Sequence, residues 1–108
     1  MMAYISFLRL PSILALDVYA QNTSISHKLT WKIWDDTKTL RLAGIIYLGN
    51  AHFTARIIDQ NQNVWWHDGM TTKNKCINEG NLKNITPQKL KLLDGRKACL
   101  VIYEACTK

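Results

Sequence analysis

The chain has 108 residues, 47% of them hydrophobic and 20% charged, with four Trp, four Tyr and a net charge of +6. That length holds one domain or part of one, and the composition belongs to a packed globular chain rather than a disordered tail. Much of the positive excess lies late, at Lys73, Lys75, Lys83, Lys89, Lys91, Arg96, Lys97 and Lys108, yet no basic run interleaves with aromatics and no finger or Gly-rich phosphate motif is present. The charge reads as a solvated face, and no nucleic acid is expected as a partner.

Three cysteines, Cys76, Cys99 and Cys106, show no CxxC spacing and are odd in number. This argues against a disulfide framework and against a zinc site, and it favours a reducing compartment. No apolar stretch is long enough to span a membrane. In the first twenty residues Val18-Tyr19-Ala20 could serve as a cleavage site, but Arg9, Pro11 and Asp17 interrupt the apolar core that a secretion signal needs.

Taken in chain order, Tyr4–Leu8 and Ser12–Tyr19 read as two apolar strands, or one strand bent at Pro11. Residues 21–28 are a polar connection. Leu29-Thr30-Trp31-Lys32-Ile33-Trp34 alternates strictly, as a half-buried strand does. Asp35-Asp36-Thr37-Lys38 is expected to turn. From Thr39 to Leu48 the pattern starts alternating and ends in a continuous apolar run, which predicts a central strand buried on both faces. Gly49-Asn50 supplies a tight turn, since both residues tolerate positive φ. His52–Asp59 and Val64–Gly69 follow as two more strands, so the middle of the chain is an antiparallel meander.

Beyond Asp68-Gly69 the pattern weakens. Residues 70–80 are polar, with a short strand near Cys76-Ile77. Thr86-Pro87 places a capping side chain before a proline suited to the first helical position, predicting a brief helical turn over 88–93. Asp94-Gly95 turns the chain into a last buried strand, Ala98–Tyr103.

The hairpin of the fourth and fifth strands holds the chemistry. If Ile58 faces Val64 across the Asp59–Asn63 turn, then Arg56 faces Trp66, Thr54 faces Asp68 and His52 faces Met70. Side chains alternate faces along a strand, so His52, Thr54, Asp68 and Met70 share one face, and His52 lies diagonal to Asp68 within side-chain reach. A one-residue slip or a bulge would separate them. An aspartate that holds one imidazole nitrogen protonated leaves the other free to act as a base. Spacing by itself also fits a purely structural pair.

The run Leu40-x-Leu42-Ala43-Gly44-Ile45-Ile46-Tyr47-x-Gly49-Asn50-x-His52-Phe53-Thr54-Ala55, then Trp65-Trp66-x-Asp68-Gly69, then Ala98–Tyr103, resembles the histidine box of the ubiquitin-specific proteases, which are papain-like cysteine peptidases. Leu10-Pro11-x-Ile13-Leu14-x-Leu16 is similar to an upstream strand of that family. The resemblance covers about Leu10 to Tyr103. It implies an α+β fold, predominantly antiparallel β: the β-rich C-terminal half of a papain-like fold, with residues 1–108 forming a single partial domain, the His/Asp-bearing lobe.

By the same resemblance His52 is the general base and Asp68 the residue that orients it. Gly49 and Asn50 stand in the turn left open for the substrate's C-terminal tail, and Phe53 is the aromatic beside the histidine. Trp65 and Trp66 match an aromatic strand whose role is packing, and His67 is expected on the face opposite Asp68. The implied partners are ubiquitin or a ubiquitin-like protein and a Cys-bearing lobe. No cofactor is implied, and the implied location is cytoplasmic or nuclear.

One departure bears on mechanism. The family's nucleophilic cysteine precedes its histidine, whereas all three cysteines here follow Asp68. The expectation is a thiol peptidase part that supplies base and orienter but no nucleophile. The competing readings are a non-catalytic module that binds a ubiquitin-like protein, and a degenerate fragment.

Overall fold

A computed structural model of the chain describes residues 13–18, 25–33, 35–68, 75–93 and 95–106. The expected Tyr4–Leu8 strand, the candidate signal segment up to Ser12, Met70 and Asp94 lie outside them. The described elements are β1 (Ile13–Asp17), β2 (Lys28–Ile33), β3 (Asp36–Gly49), β4 (His52–Ile58), β5 (Asn63–His67), β6 (Ile77–Asn81), α1 (Pro87–Leu90), β7 (Leu92–Leu93) and β8 (Arg96–Ala105). All pairings are antiparallel, in the spatial order β1-β8-β3-β4-β5-β6, with β2 added to β3 and β7 to β8.

This corrects the expected fold class. The described residues form a small, nearly all-β antiparallel domain, and the single four-residue helix among them is too little for the α+β, papain-like architecture that the resemblance implied. The apolar segments predict strands because their period is two. Nothing in the described chain carries the period of 3.6 over the ten or more residues that a core helix requires.

The 14-residue strand β3 is the spine. Leu40 and Arg41 pair with β2 on one edge and β8 on the other, so β2 and β4 share an edge of β3 in succession and β8 takes the opposite edge along Leu40–Leu48. The hairpin β4–β5 therefore lies to one side of β3, and the closing strand β8 lies to the other.

The continuous run in β3 was expected to be buried on both faces. Instead it contains a bulge: Leu42 pairs with Tyr103 and Gly44 with Ile102, leaving Ala43 extra. The extra residue switches the alternation, so Leu40, Leu42, Ile45 and Tyr47 all point to the inner face and are buried, while Ile46 and Leu48 stay half-exposed on the outer face. The expected turn at 35–38 is also tighter. Asp36, Thr37 and Lys38 already pair with Ile33, Lys32 and Trp31, so the hairpin closes over two residues.

The core fills the space between the inner face and residues 82–93. Leu14, Leu40, Leu42, Ile45, Tyr47, Ile58, Val64, Val101 and Tyr103 of the sheet pack with Leu82, Ile85, Leu90 and Leu93. This segment begins with a 3-10 turn, Leu82–Asn84, which the sequence reading did not foresee. It continues into α1 with the expected cap, where Thr86 Oγ1 accepts from the Lys89 amide at 3.3 Å and Pro87 takes the first turn. The outer face has no such cover among the described residues and exposes Ile13, Phe53 and Ile57. No helix among the described residues is long and apolar enough to cross a membrane.

Two core tyrosines keep their hydroxyls by donating them to carbonyls: Tyr47 to Leu90 at 2.6 Å and Tyr103 to Ser26 at 2.7 Å. Burial pushes each phenol up to about 12 from an ordinary 10.0, which for Tyr47 outweighs the Arg56 charge beside it. A group that ionises later in the folded state than in the unfolded state stabilises the fold fully at low pH and loses that contribution as the unfolded chain ionises first. Stability should therefore fall as pH rises from 10 toward about 12. Two measurements check this: urea midpoints across that window, and phenolate absorbance, which should lag in the folded protein. A phenolate titration that is identical in folded and urea-unfolded protein would contradict the burial of both rings.

Candidate active site

The β3–β4 turn delivers His52. Gly49 pairs with His52, so the loop is the two residues Asn50 and Ala51, both left-handed with φ of 55° and 56°. That is a type I′ turn, whose twist matches the flanking strands. The expected Gly49-Asn50 turn is thus displaced by one residue. Gly49 belongs to the strand, and its value lies in space rather than in backbone freedom. A Cβ there would stand 2.8 Å from Arg96 Cγ and 3.2 Å from Arg96 Cβ, and the Gly49 carbonyl accepts from Arg96 Nε at 3.2 Å. Arg96 in β8 thus reaches across to clamp the strand end that precedes the histidine.

The register of β4 with β5 is the one the sequence implied: Ile58 with Val64, Ile57 with Trp65, Arg56 with Trp66 and Ala55 with His67. Asp68 follows β5 directly, opposite Thr54, and the diagonal brings it to His52. His52 Nε2 meets Asp68 Oδ1 at 2.5 Å. Asp68 is 2% exposed, whereas the His52 side chain keeps 18%. With Asp68 holding Nε2–H, the nitrogen left to accept a proton is Nδ1. The carboxylate is thus sealed away while the ring still reaches solvent, the arrangement that an oriented base needs.

Beneath the same face lies a group the sequence reading missed. Arg56 is 3% exposed, two positions past Thr54. Its guanidinium grips Glu79 of β6 bidentately, Nε to Oε1 at 2.7 Å and Nη2 to Oε2 at 2.9 Å. Its Nη1 donates to Tyr47 Oη at 2.9 Å and to the carbonyls of Lys89 and Leu92 at 3.0 Å each. Burial alone would ease the proton off Arg56, but Glu79 and Tyr47 outweigh it and hold the group charged. A signal existed: an arginine on the face of β4 that also carries Ile58, itself opposite Val64, needs an acid nearby once that face is buried.

The remaining predicted positions fall as follows. Asn50 is exposed at the turn tip, beside His52. Phe53 is 60% exposed and, by strand alternation, on the face opposite His52. His67 is on that outer face, as expected, paired with Ala55. Trp66 packs on the core and Trp65 sits outside, its indole Nε1 donating to Asp59 Oδ2 at 3.1 Å.

None of the three cysteines joins the dyad. Cys76 continues β6 opposite His67, two strands across and three residues along from His52, roughly 14 Å on strand spacings. Cys99 is the bulge residue of β8, and burial, reinforced by Asp17, pushes its thiol up, away from the thiolate form. Cys106 lies at the far end of the sheet. Among the described residues no three His, Cys, Asp or Glu side chains converge as metal ligands. Compared with protein-family models, curated proteins and solved structures, the chain matches none of them.

Ala51 is the strained residue that aims His52. A non-glycine residue in the left-handed region costs about 1–2 kcal/mol, and glycine's extra freedom in the unfolded chain takes back about 0.4–1 kcal/mol. Ala51→Gly, which creates the preferred Asn-Gly turn, should therefore raise stability by roughly 0.5–1 kcal/mol in urea unfolding. An unchanged or lower midpoint would contradict the turn geometry.

Proposed function

We propose that His52 and Asp68 are the base and orienter of a thiol peptidase acting on the C-terminal tail of ubiquitin or a ubiquitin-like protein, with the nucleophilic thiol supplied by another polypeptide segment. The observation that carries this reading is the 2.5 Å contact between an almost fully buried carboxylate and an imidazole that keeps 18% of its side chain exposed. The likeness of Leu40–Ala55 and Trp65–Gly69 to a protease histidine box supplies the substrate class. The reading rests on the dyad and that motif, not on a papain-like architecture, which this sheet does not have.

In this mechanism Asp68 fixes the ring through Nε2–H, and Nδ1 takes the proton from the incoming thiol. The thiolate attacks the carbonyl carbon of the scissile (iso)peptide bond. The same proton then passes from Nδ1 to the departing amine, leaving a thioester. Water attacks the thioester, giving its proton to Nδ1, and the thiol is released. A dyad of this kind is worth about 10²–10⁴-fold in rate once the nucleophile is in place. The setting is intracellular, cytoplasmic or nuclear, where thiols stay reduced.

The absence of a thiol beside His52 among the described residues favours one alternative, a module that binds the tail without cutting it. A ubiquitin derivative bearing a C-terminal electrophile distinguishes the two. The chain alone should remain unlabelled. Adding a Cys-bearing lobe should give labelling of that lobe, and His52→Ala should abolish it. Saturable ubiquitin binding with no labelling in either setting would point to the binding module, and labelling of the chain alone would overturn the proposal that its nucleophile comes from elsewhere.

A further inference from the structure

The end of the sheet remote from the dyad holds a cavity of about 420 Å³. Four segments meet there: the start of β2 at His27 and Lys28, the β4–β5 turn at Gln60 and Gln62, the 3-10 turn at Lys83, and the end of β8 at Cys106. They are tied together by backbone bonds, Leu42 N to His27 O at 2.9 Å, Leu82 N to Gln62 O at 2.7 Å and Cys106 N to Thr39 O at 3.0 Å. His52 is six residues away along β4 from Ile58, roughly 20 Å, so this cavity is separate from the dyad.

Its electrostatics are one-sided. Arg41 forms one wall, with its guanidinium held by Glu104 and by the carbonyls of Ile58 and Asp59 at 3.0 and 2.9 Å. The two nearby carboxylates are already engaged. Glu104 accepts from Arg41 and from Gln60 at 3.3 Å, while Asp59 accepts from the amides of Asn61 and Asn63 and from Trp65. Lys28 and Lys83 have no carboxylate partner among the described residues. His27 lines the same cavity with Nε2 buried and unbonded. Two ammonium groups without a carboxylate partner on the lining of one cavity make an anion the natural complement.

We propose that this cavity binds a phosphate-class oxyanion, with Lys28 and Lys83 neutralising its charge and the Gln62 carboxamide completing the site. The volume lies within the range of small-molecule sites and admits a pyrophosphate or a nucleotide. Lysine suits such a role as a mobile point charge for phosphate oxygens. The site depends on none of the residues assigned to the dyad, so the two proposals fail separately.

The test is a titration of the full chain with sodium pyrophosphate, and separately with ADP, followed by amide NMR shifts, with sodium chloride at matched ionic strength as the control. Saturable shifts clustered at Lys28, Gln62, Lys83 and Cys106 are expected from pyrophosphate. Lys28→Gln/Lys83→Gln, which alters two exposed side chains, should weaken them about tenfold or more while the rest of the spectrum stays in place. Tighter binding of ADP would extend the site to a nucleotide, and equal binding would restrict it to the phosphate groups. Shifts that merely track chloride, or an unchanged affinity in the double variant, would overturn the proposal.

Discussion

The inner face of this sheet depends on where the Arg56 guanidinium goes. A charged group this deeply buried survives only with a partner charge and hydrogen bonds, and here every guanidinium nitrogen has an acceptor: Nε and Nη2 on Glu79, and Nη1 on Tyr47 and the carbonyls of Lys89 and Leu92. One side chain thereby joins β3, β4, β6 and the covering segment. Removing one partner of such a pair typically costs about 3–5 kcal/mol, a large part of a small domain's stability. The residues that wrap the core over 82–93 have only a short helix, a 3-10 turn and the two-residue β7 of their own, so this anchorage, with the β7–β8 pairing and the buried leucines, rather than local propensity, holds them down.

Arg56 also fixes parity. It shares a face of β4 with His52 and Thr54, so a one-residue slip that turned His52 outward would drag a buried, ion-paired arginine into the wrong layer. The dyad is thus protected by an interaction that takes no part in its chemistry. The turn serves the same end from the other side. Left-handed Asn50 and Ala51 make a two-residue connection, Arg96 clamps Gly49, and together they set how far along the strand His52 stands. The outcome is an imidazole with one nitrogen committed to a sealed carboxylate, on a ring that still reaches solvent.

The sequence made this hairpin legible because a strand period of two, a polar five-residue connection and a single register determine which side chains share a face. The helical cap at Thr86-Pro87 was legible for a similar reason, being a local signal with one structural meaning. Other features escaped for physical reasons. The bulge at Ala43 looks, as a string, like any other member of an apolar run, and only pairing with β8 reveals that the alternation switches there. The partners of Arg56 lie 23 residues away at Glu79 and 33 and 36 residues away in the covering segment, so no local pattern announces them. The α+β expectation came from resemblance rather than from periodicity, and the described chain carries too little helix to sustain it. The placement of β8 against β3, on the side away from the dyad hairpin, is likewise a long-range choice that strand patterns alone leave open.

The central claim is that Asp68 holds His52 through Nε2, leaving Nδ1 as the base. Nitrogen-15 NMR of the imidazole, on the full chain at a pH where the ring is neutral, reads this directly. The account predicts a protonated Nε2 carrying a hydrogen-bonded, downfield proton and a bare Nδ1, with that proton signal lost in Asp68→Ala. A ring protonated at Nδ1, or an Nε2 proton indifferent to Asp68→Ala, would contradict it.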